Sequence, residues 1–316
     1  MNWSRKLINP VLDKEFRLRM RSPKSMLSVL LYVMALGGVA MAFIYIFLYL
    51  EQGGQQRFDP SMSRSMFYVL SFAQLVLIAF MAPALTAGVI SSEREKQTLS
   101  MLLTTQQSSA TIVLSKLLSS LSFMALIVLS TLPVYSIVFL YGGISPQQLI
   151  SVFLFYLFVM LLLGSLGVMF STLFKRTIVA IIVTYGAGLF IFLGTGLLYL
   201  FFMSLDSRDL MINGAPPVNS ISWTGYILGL NPAGALISLF EPSFSKEVFY
   251  MMRGGSSLNS KAPIQLWQEF VIVYSVVIVL VLMVAIRKIR PVKRGSWMRR
   301  KSPKPQQPPE SVSREG

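Results

Sequence analysis

An all-α, polytopic membrane protein with six transmembrane helices is the fold class this sequence predicts, and three observations predict it. Of its 316 residues, 54% are apolar and only 13% charged, with a mean hydropathy of +0.63, whereas a soluble domain carries roughly 25% charged residues. Uncharged runs recur that are long enough to cross a hydrocarbon core about 30 Å thick, which takes about 20 residues per helix. The 28 Lys and Arg, set against 13 Asp and Glu, are sorted by those runs onto one side of the membrane.

Residues 1–24 precede the first run. Within residues 10–21, Val11, Leu12, Phe16, Leu18 and Met20 are interleaved with Asp13, Lys14, Glu15, Arg17, Arg19 and Arg21. This mixture predicts an interfacial helix along the inner leaflet, with Lys14, Phe16, Arg17 and Arg21 as its candidate contacts and anionic lipid headgroups as its partners. A basic anchor that merely sets topology accounts for the charges equally well. Ser22-Pro23 then turns the chain into the membrane. No short apolar region with a small-residue cleavage site follows the first residues, as a cleavable signal peptide would require.

Residues 25–286 form the predicted transmembrane domain. Residues 25–50 and 65–92 are spans one and two. The run 117–174 is too long for one crossing, and the turn signal Tyr141-Gly142-Gly143-Ile144-Ser145-Pro146 divides it into spans three and four. Lys175-Arg176 separates these from span five, residues 177–205, and residues 264–286 make span six with Glu269 near its start. The stretch 221–240 is also uncharged, but Gly225, Gly229, Asn231, Pro232 and Gly234 interrupt it, so it reads as re-entrant or interfacial. It lies in a long, nearly neutral outer segment, residues 203–263, expected to cap the exit with Trp223 and Tyr226 at the interface. Six spans place 22 of the 28 basic residues on the side of both termini, which the positive-inside rule makes cytoplasmic in the cell membrane; a seventh would move the basic tail outside. Residues 287–316 form that tail, basic, Pro-rich and expected to be disordered. Attraction to anionic lipid explains its charge with fewer assumptions than nucleic acid does, so no nucleic-acid partner is expected.

The composition also excludes chemistry. There is no Cys and no His, which removes thiolate, HExxH and Ser/His mechanisms. No pair of carboxylates lies within the spans, and proton- or ion-coupled carriers need intramembrane charges to relay. No GxxxxGK[ST] loop occurs, so the chain does not bind ATP by a P-loop of its own. No catalytic residue, metal site or cofactor is expected in it, and any transport must draw its energy from a partner.

Within the spans, Gly164, Gly167, Gly186, Gly188, Gly194 and Gly196 permit close helix approach, and Pro83 and Pro133 are candidates for kinks. Polar residues are few. Gln74, Thr184 and Tyr185 are the candidates for a substrate pathway, although a hydrogen bond between helices is the default meaning of each.

The most informative stretch joins spans two and three, Ser91-Ser92-Glu93-Arg94-Glu95-Lys96-Gln97-Thr98-Leu99-Ser100-Met101-Leu102-Leu103. Ser92 and Glu95 have capping-box spacing, and Leu99, Leu102 and Leu103 share a helical face. A short amphipathic helix over residues 92–103 is predicted, its charged first turn free for a soluble partner; a plain connector packed on the bundle is the alternative. On the docking reading, reversing Glu93 and Glu95 to Lys leaves the fold nearly intact, because exposed charges contribute little.

The run I-S-S-E-R-E-K-Q-T-L-S-M-L-L-T-T followed by I-V-L-S-K, together with N-P-V-L-D-K-E-F-R-L-R-M-R-S-P-K at residues 9–24, resembles the coupling region and N-terminal segment of type-2 ATP-binding-cassette (ABC) permeases, including those labelled as serving multicopper enzyme maturation. The hydropathy of nearly the whole chain is similar too. Gln97 stands where much of that family has Gly, a departure expected to make the local turn more helical. The resemblance implies a permease subunit of an ABC exporter that pairs with a second permease, identical or related, and with cytosolic ATPase subunits that bind ATP and Mg. Glu93, Arg94, Glu95, Thr98, Leu99 and Leu102 would dock the ATPase, whose closure would tilt spans one to three. A membrane scaffold or sensor that holds a cytosolic partner without moving solute is the alternative.

The topology is open to direct measurement in this Cys-free chain. Ser108→Cys and Ser302→Cys are expected to be shielded from an impermeant thiol reagent in intact cells, and Ser256→Cys to react. Labelling at position 302 but not at 256 reverses the orientation.

Overall fold

The computed structural model describes residues 23–47, 60–97, 109–140, 144–213, 223–250 and 263–289, and every regular element among them is helical. Six helical segments are long and apolar enough to cross a membrane: Ser25–Ile46, Met62–Glu95, Ser109–Phe139, Pro146–Leu173, Thr177–Asp206 and Leu266–Ile289. The chain is therefore an all-α protein with six candidate spans, as its uncharged runs predict. The N-terminal interfacial helix, the disordered tail, and Lys14, Phe16, Arg17 and Arg21 lie outside the described residues.

Span one is α1 (Pro23–Ile46) and span two is α2 (Pro60–Thr86). The second starts earlier than its apolar run because its polar first turn has a partner, Ser63 Oγ donating to the carbonyl of Val138 at 2.9 Å. A corner then leads into α3 (Ser91–Glu95). Span three is broken into α4 (Ser109–Leu129) and α5 (Leu132–Leu140). The break falls just before Pro133, which lacks the N–H needed to continue the ladder. Ser130 Oγ and Thr131 Oγ1 donate to the carbonyls of Leu126 and Val128 there, at 2.8 and 2.6 Å.

Ser145 and Pro146 turn the chain back as the sequence indicates. Pro146 takes the first helical position and Ser145 Oγ accepts from the N–H of Gln148 at 3.2 Å, which starts α6 (Pro146–Leu173). Span five is α7 (Thr177–Leu189), one π-helical turn (Phe190–Gly194) and α8 (Thr195–Asn213), and it runs eight residues past its predicted end at 205. Span six is α12 (Leu266–Ile289), so Arg287 and Lys288 belong to its last turn rather than to the tail.

Residues 223–250 of the outer segment form three short helices, α9 (Thr224–Gly229), α10 (Pro232–Phe240) and α11 (Pro242–Tyr250). At 1.5 Å per residue, α10 is about 14 Å long and cannot cross a bilayer. It enters the bundle instead, with Ala235, Leu236 and Phe240 in the main core. Asn231 fixes the α9–α10 junction, its Oδ1 accepting from Ala233 N–H at 2.8 Å and its Nδ2 donating to the Phe192 carbonyl in the π turn at 2.7 Å. Tyr274 Oη of α12 donates to the Leu230 carbonyl beside it at 3.0 Å. Glu269, in the first turn of α12, presses its carboxylate on Gly229 of α9, so that a Cβ there would force the carboxylate to shift. Trp223 and Tyr226 are exposed.

Helix α6 is the centre of the bundle, flanked by α2, α4, α7, α10 and α12. It approaches α2 tightly at Gly167. A Cβ at Gly167 would collide with Thr86 Oγ1, and would sit 2.9 Å from Thr86 Cβ and 3.2 Å from the backbone nitrogen of Ala87. One at Gly164 would sit 3.2 Å from Leu117 of α4. The other candidate glycines differ: Gly186 faces open space, Gly188 is in ordinary contact with Leu163 of α6 at 3.7 Å, the atoms nearest Gly194 belong to Phe190 of its own turn, and Gly196 meets Asn231. A second apolar cluster, Ile90, Val113, Leu117, Val168, Ala285 and Ile289, closes the end that carries Arg94, Lys116, Arg287 and Lys288.

Candidate functional site

The corner after α2 keeps most of its helical hydrogen bonding. The N–H of Ala87 donates to Pro83 O at 2.9 Å, that of Ser92 to Gly88 O at 3.0 Å and that of Arg94 to Ile90 O at 3.1 Å. The N–H groups of Ile90 and Ser91 turn elsewhere, and both donate to Ser171 Oγ of α6 at 2.9 Å. One hydroxyl from another helix thus takes two backbone donors that lipid could not satisfy.

The three charged residues that follow each engage a different helix. Glu93 Oε1 accepts from Lys116 Nζ of α4 at 2.6 Å; Lys116 is 2% exposed and Glu93 25%. Arg94 donates to the carbonyls of Thr172 and Phe174 at 3.1 and 3.4 Å, at the C-terminal end of α6. Glu95 accepts from the N–H and Oγ1 of Thr177 at 2.8 and 2.9 Å, at the first residue of α7. The Arg176 position that opens α7 supplies no side-chain cap of its own, so Glu95 supplies one from 82 residues away. A cation at a helix C-terminus and an anion at the next N-terminus complement both macrodipoles. Glu93-Arg94-Glu95 therefore plugs the α6–α7 turn and ties it to α4.

This geometry corrects several expectations. Ser92 and Glu95 do not form a capping box: the N–H of Ser92 is already spent on Gly88, the helix begins at Ile90 without a side-chain cap, and Glu95 turns to Thr177. The helix stops at Glu95 rather than running over 92–103, because Gln97 adopts φ +57°, the left-handed conformation that ends helices. Gln97 thus takes the conformation for which Gly is the natural residue, and the turn is less helical, not more. Thr98, Leu99 and Leu102 lie outside the described residues. Lys116 is seven residues inside α4, a buried cation that the run beginning at 117 left out. Glu93 is not a free surface charge, so the expectation that its reversal spares the fold is withdrawn.

The structure does not bring the pathway candidates together. Thr184 Oγ1 donates to Ala180 O of its own helix at 2.6 Å, so it is not an interhelical bond. Tyr185 Oη does cross, donating to Phe80 O of α2 at 2.8 Å. Gln74 is fully buried, and neither its amide oxygen nor its amide nitrogen has a hydrogen-bond partner. A groove of about 320 Å³ between α4, α5 and α6 contains none of the three, being lined by Val128, Leu129, Phe153, Leu154, Leu157 and their apolar neighbours.

The bundle has six candidate spans, with Glu93, Arg94, Glu95 and Lys116 engaged at one end, and comparison with known families decides the broad identity. Residues 9–287 match the family described as ABC-2 family transporter protein. The chain belongs to that family. It is accordingly a multi-pass membrane protein of the ABC transporter permease class. Comparison with curated proteins gives no match. The residues of this ABC-2 transporter that sequence reasoning passed over are Lys116, Ser171 and Thr177. Lys116 was visible in the I-V-L-S-K run, whereas nothing local marks Ser171 as the acceptor for a corner 80 residues away.

The buried pair gives a measurable consequence. Removing one partner of a buried ion pair costs about 3–5 kcal/mol, so Glu93→Lys is expected to lower the melting temperature of the purified chain sharply, and adding Lys116→Glu to restore most of it. A Glu93→Lys chain that melts with the parent shows that the pair is solvated and the link independent of α4.

Proposed function

We propose that this chain is the permease subunit of an ATP-driven ABC exporter. Its family pairs typically with a cytosolic ABC ATPase, and we extend that to this chain, together with a second permease, identical or related, and contact with anionic lipid. Both termini are cytoplasmic in this reading, which rests on the 22 of 28 basic residues that six spans place on one side. ATP and Mg bind in the partner. The substrate moves outward across the cell membrane; the narrower likeness to permeases labelled for multicopper enzyme maturation names none.

The observation that carries the mechanism is the plug at the α6–α7 turn. The link from Glu93 through Leu102 receives the ATPase, and Glu93, Arg94 and Glu95 pass its movement to α4, α6 and α7, in spans three, four and five, rather than to span one. A rigid link of this kind converts a push at the surface into a shift of packed helices.

Purification of the full chain in mild detergent tests the proposal. An ATPase should co-purify and hydrolyse ATP, the chain alone should not, and transport in vesicles should survive collapse of the proton gradient but fail without ATP. Transport driven by a proton gradient with the chain alone refutes it. An ATPase that is held but drives no solute movement selects the scaffold reading instead.

A further inference from the structure

A set of polar side chains in the membrane-spanning part takes no part in the plug. Tyr32 comes from α1, Ser71 and Gln74 from α2, Tyr135 from α5 and Tyr156 from α6, and all five are buried. Ser71 and Gln74 are one turn apart and share a face. Phe67, one turn earlier, meets the Tyr135 ring edge-on at 5.9 Å, and the Phe153 ring contacts both Tyr135 and Tyr156, at 5.5 and 5.8 Å. Tyr156 Oη donates to the Ser71 carbonyl at 3.0 Å. Tyr135 Oη lies beside Tyr156 and Ser71 without closing a hydrogen bond.

The set is left unsatisfied. Tyr32 Oη, Ser71 Oγ, both amide atoms of Gln74 and Tyr135 Oη are buried with no hydrogen-bond partner. Native proteins satisfy the large majority of such groups, and an exception needs an explanation. In a bilayer the need is stronger, because lipid offers nothing in exchange. Tyr32, Ser71 and Tyr135 lie together around Tyr156, and Gln74 is one turn from Ser71 on the same helix, so the five orphan atoms are a concentration, not scatter. They offer both donors and acceptors and carry no formal charge. The wall that Tyr32 provides belongs to α1, which with span five is the least enclosed of the spans, 17% buried over its apolar window.

We propose that Tyr32, Ser71, Gln74 and Tyr135 form an intramembrane binding site for an uncharged hydrogen-bonding group, an amide or hydroxyl of a solute, reached when α1 moves aside. The absence of charge favours a neutral ligand, since a carboxylate or ammonium would enter without a counter-ion. The use of the site in transport rests on the permease reading. Its existence does not, and the experiment below needs no ATPase.

The Cys-free chain allows single thiols to report on the site. Ser71→Cys and, independently, Gln74→Cys are placed in the full chain in phosphatidylcholine–phosphatidylglycerol nanodiscs, with Ala82→Cys, fully buried and apolar on the same helix, as control. Iodoacetamide, itself a small neutral amide, should alkylate a folded site variant at least tenfold faster than the control. Iodoacetate should fall at least tenfold behind it once both are scaled to a free thiol, and excess acetamide should slow the reaction at least threefold. The variant whose melting temperature stays with the parent is the one read. The proposal is overturned by rates no faster than at Ala82→Cys, by equal reaction with the carboxylate reagent, or by indifference to acetamide. Any of these leaves the ATPase pairing untouched.

Discussion

The rest of the structure depends on how closely α2 is allowed to approach α6. Gly164, Gly167 and Ser171 form one stripe on α6, and the chain from Thr86 to Ser91 lies along it. Because Gly167 has no side chain, the backbone of Ala87 comes near enough for the next residues, Ile90 and Ser91, to reach Ser171 Oγ. A methyl group at Gly167 would push Thr86 away and draw those N–H groups out of range. Overpacking of such a contact costs about 1–3 kcal/mol, and here it would also strand two backbone donors at the edge of the membrane.

From that contact the charged end follows. Once Ser91 is fixed on Ser171, α3 can only point Glu93 at α4 and present Arg94 and Glu95 to the α6–α7 turn. The three charges then occupy the positions where unsatisfied carbonyls, an unsatisfied N–H and a buried ammonium each need a partner. The opposite end is organised on the same principle with neutral groups. Asn231 and Tyr274 satisfy carbonyls at the π turn and the α9–α10 junction, while Gln148 donates to the Phe240 carbonyl at 3.3 Å. Backbone groups exposed by breaks in the helices are repaired by side chains from other helices, as a low-dielectric surrounding demands.

The spans were legible in the sequence because they need only length and apolarity, and the break before Pro133 was legible because its cause is local. The ends of the spans were less so. Span three starts eight residues before the uncharged run does, since a cation paired with Glu93 can be buried and a hydropathy count treats every Lys as solvated. The capping-box spacing of Ser92 and Glu95 misled for a related reason: spacing says which groups could meet, and tertiary partners decide which do. Thr177 is 82 residues from Glu95, and Ser171 is 80 from Ser91. Among the polar candidates, Tyr185 reaches another helix, Thr184 folds onto its own, and Gln74 finds nothing. Their sequence contexts are alike, and only the facing helices distinguish them.

On this account the link between spans two and three and the α6–α7 turn move as one body. Ser91 Oγ and Ser171 Oγ are 3.3 Å apart, so Ser91→Cys with Ser171→Cys places two thiols at a separation from which a disulfide can form, in a chain with no other Cys. The most direct measurement is oxidation of this double variant in membranes, followed by assay of ATP-driven coupling with the ATPase proposed to pair with it. The account predicts a nearly complete cross-link with coupling retained. Failure to cross-link, or a cross-link that abolishes coupling, would contradict it, since the corner and α6 would then have to separate during the cycle.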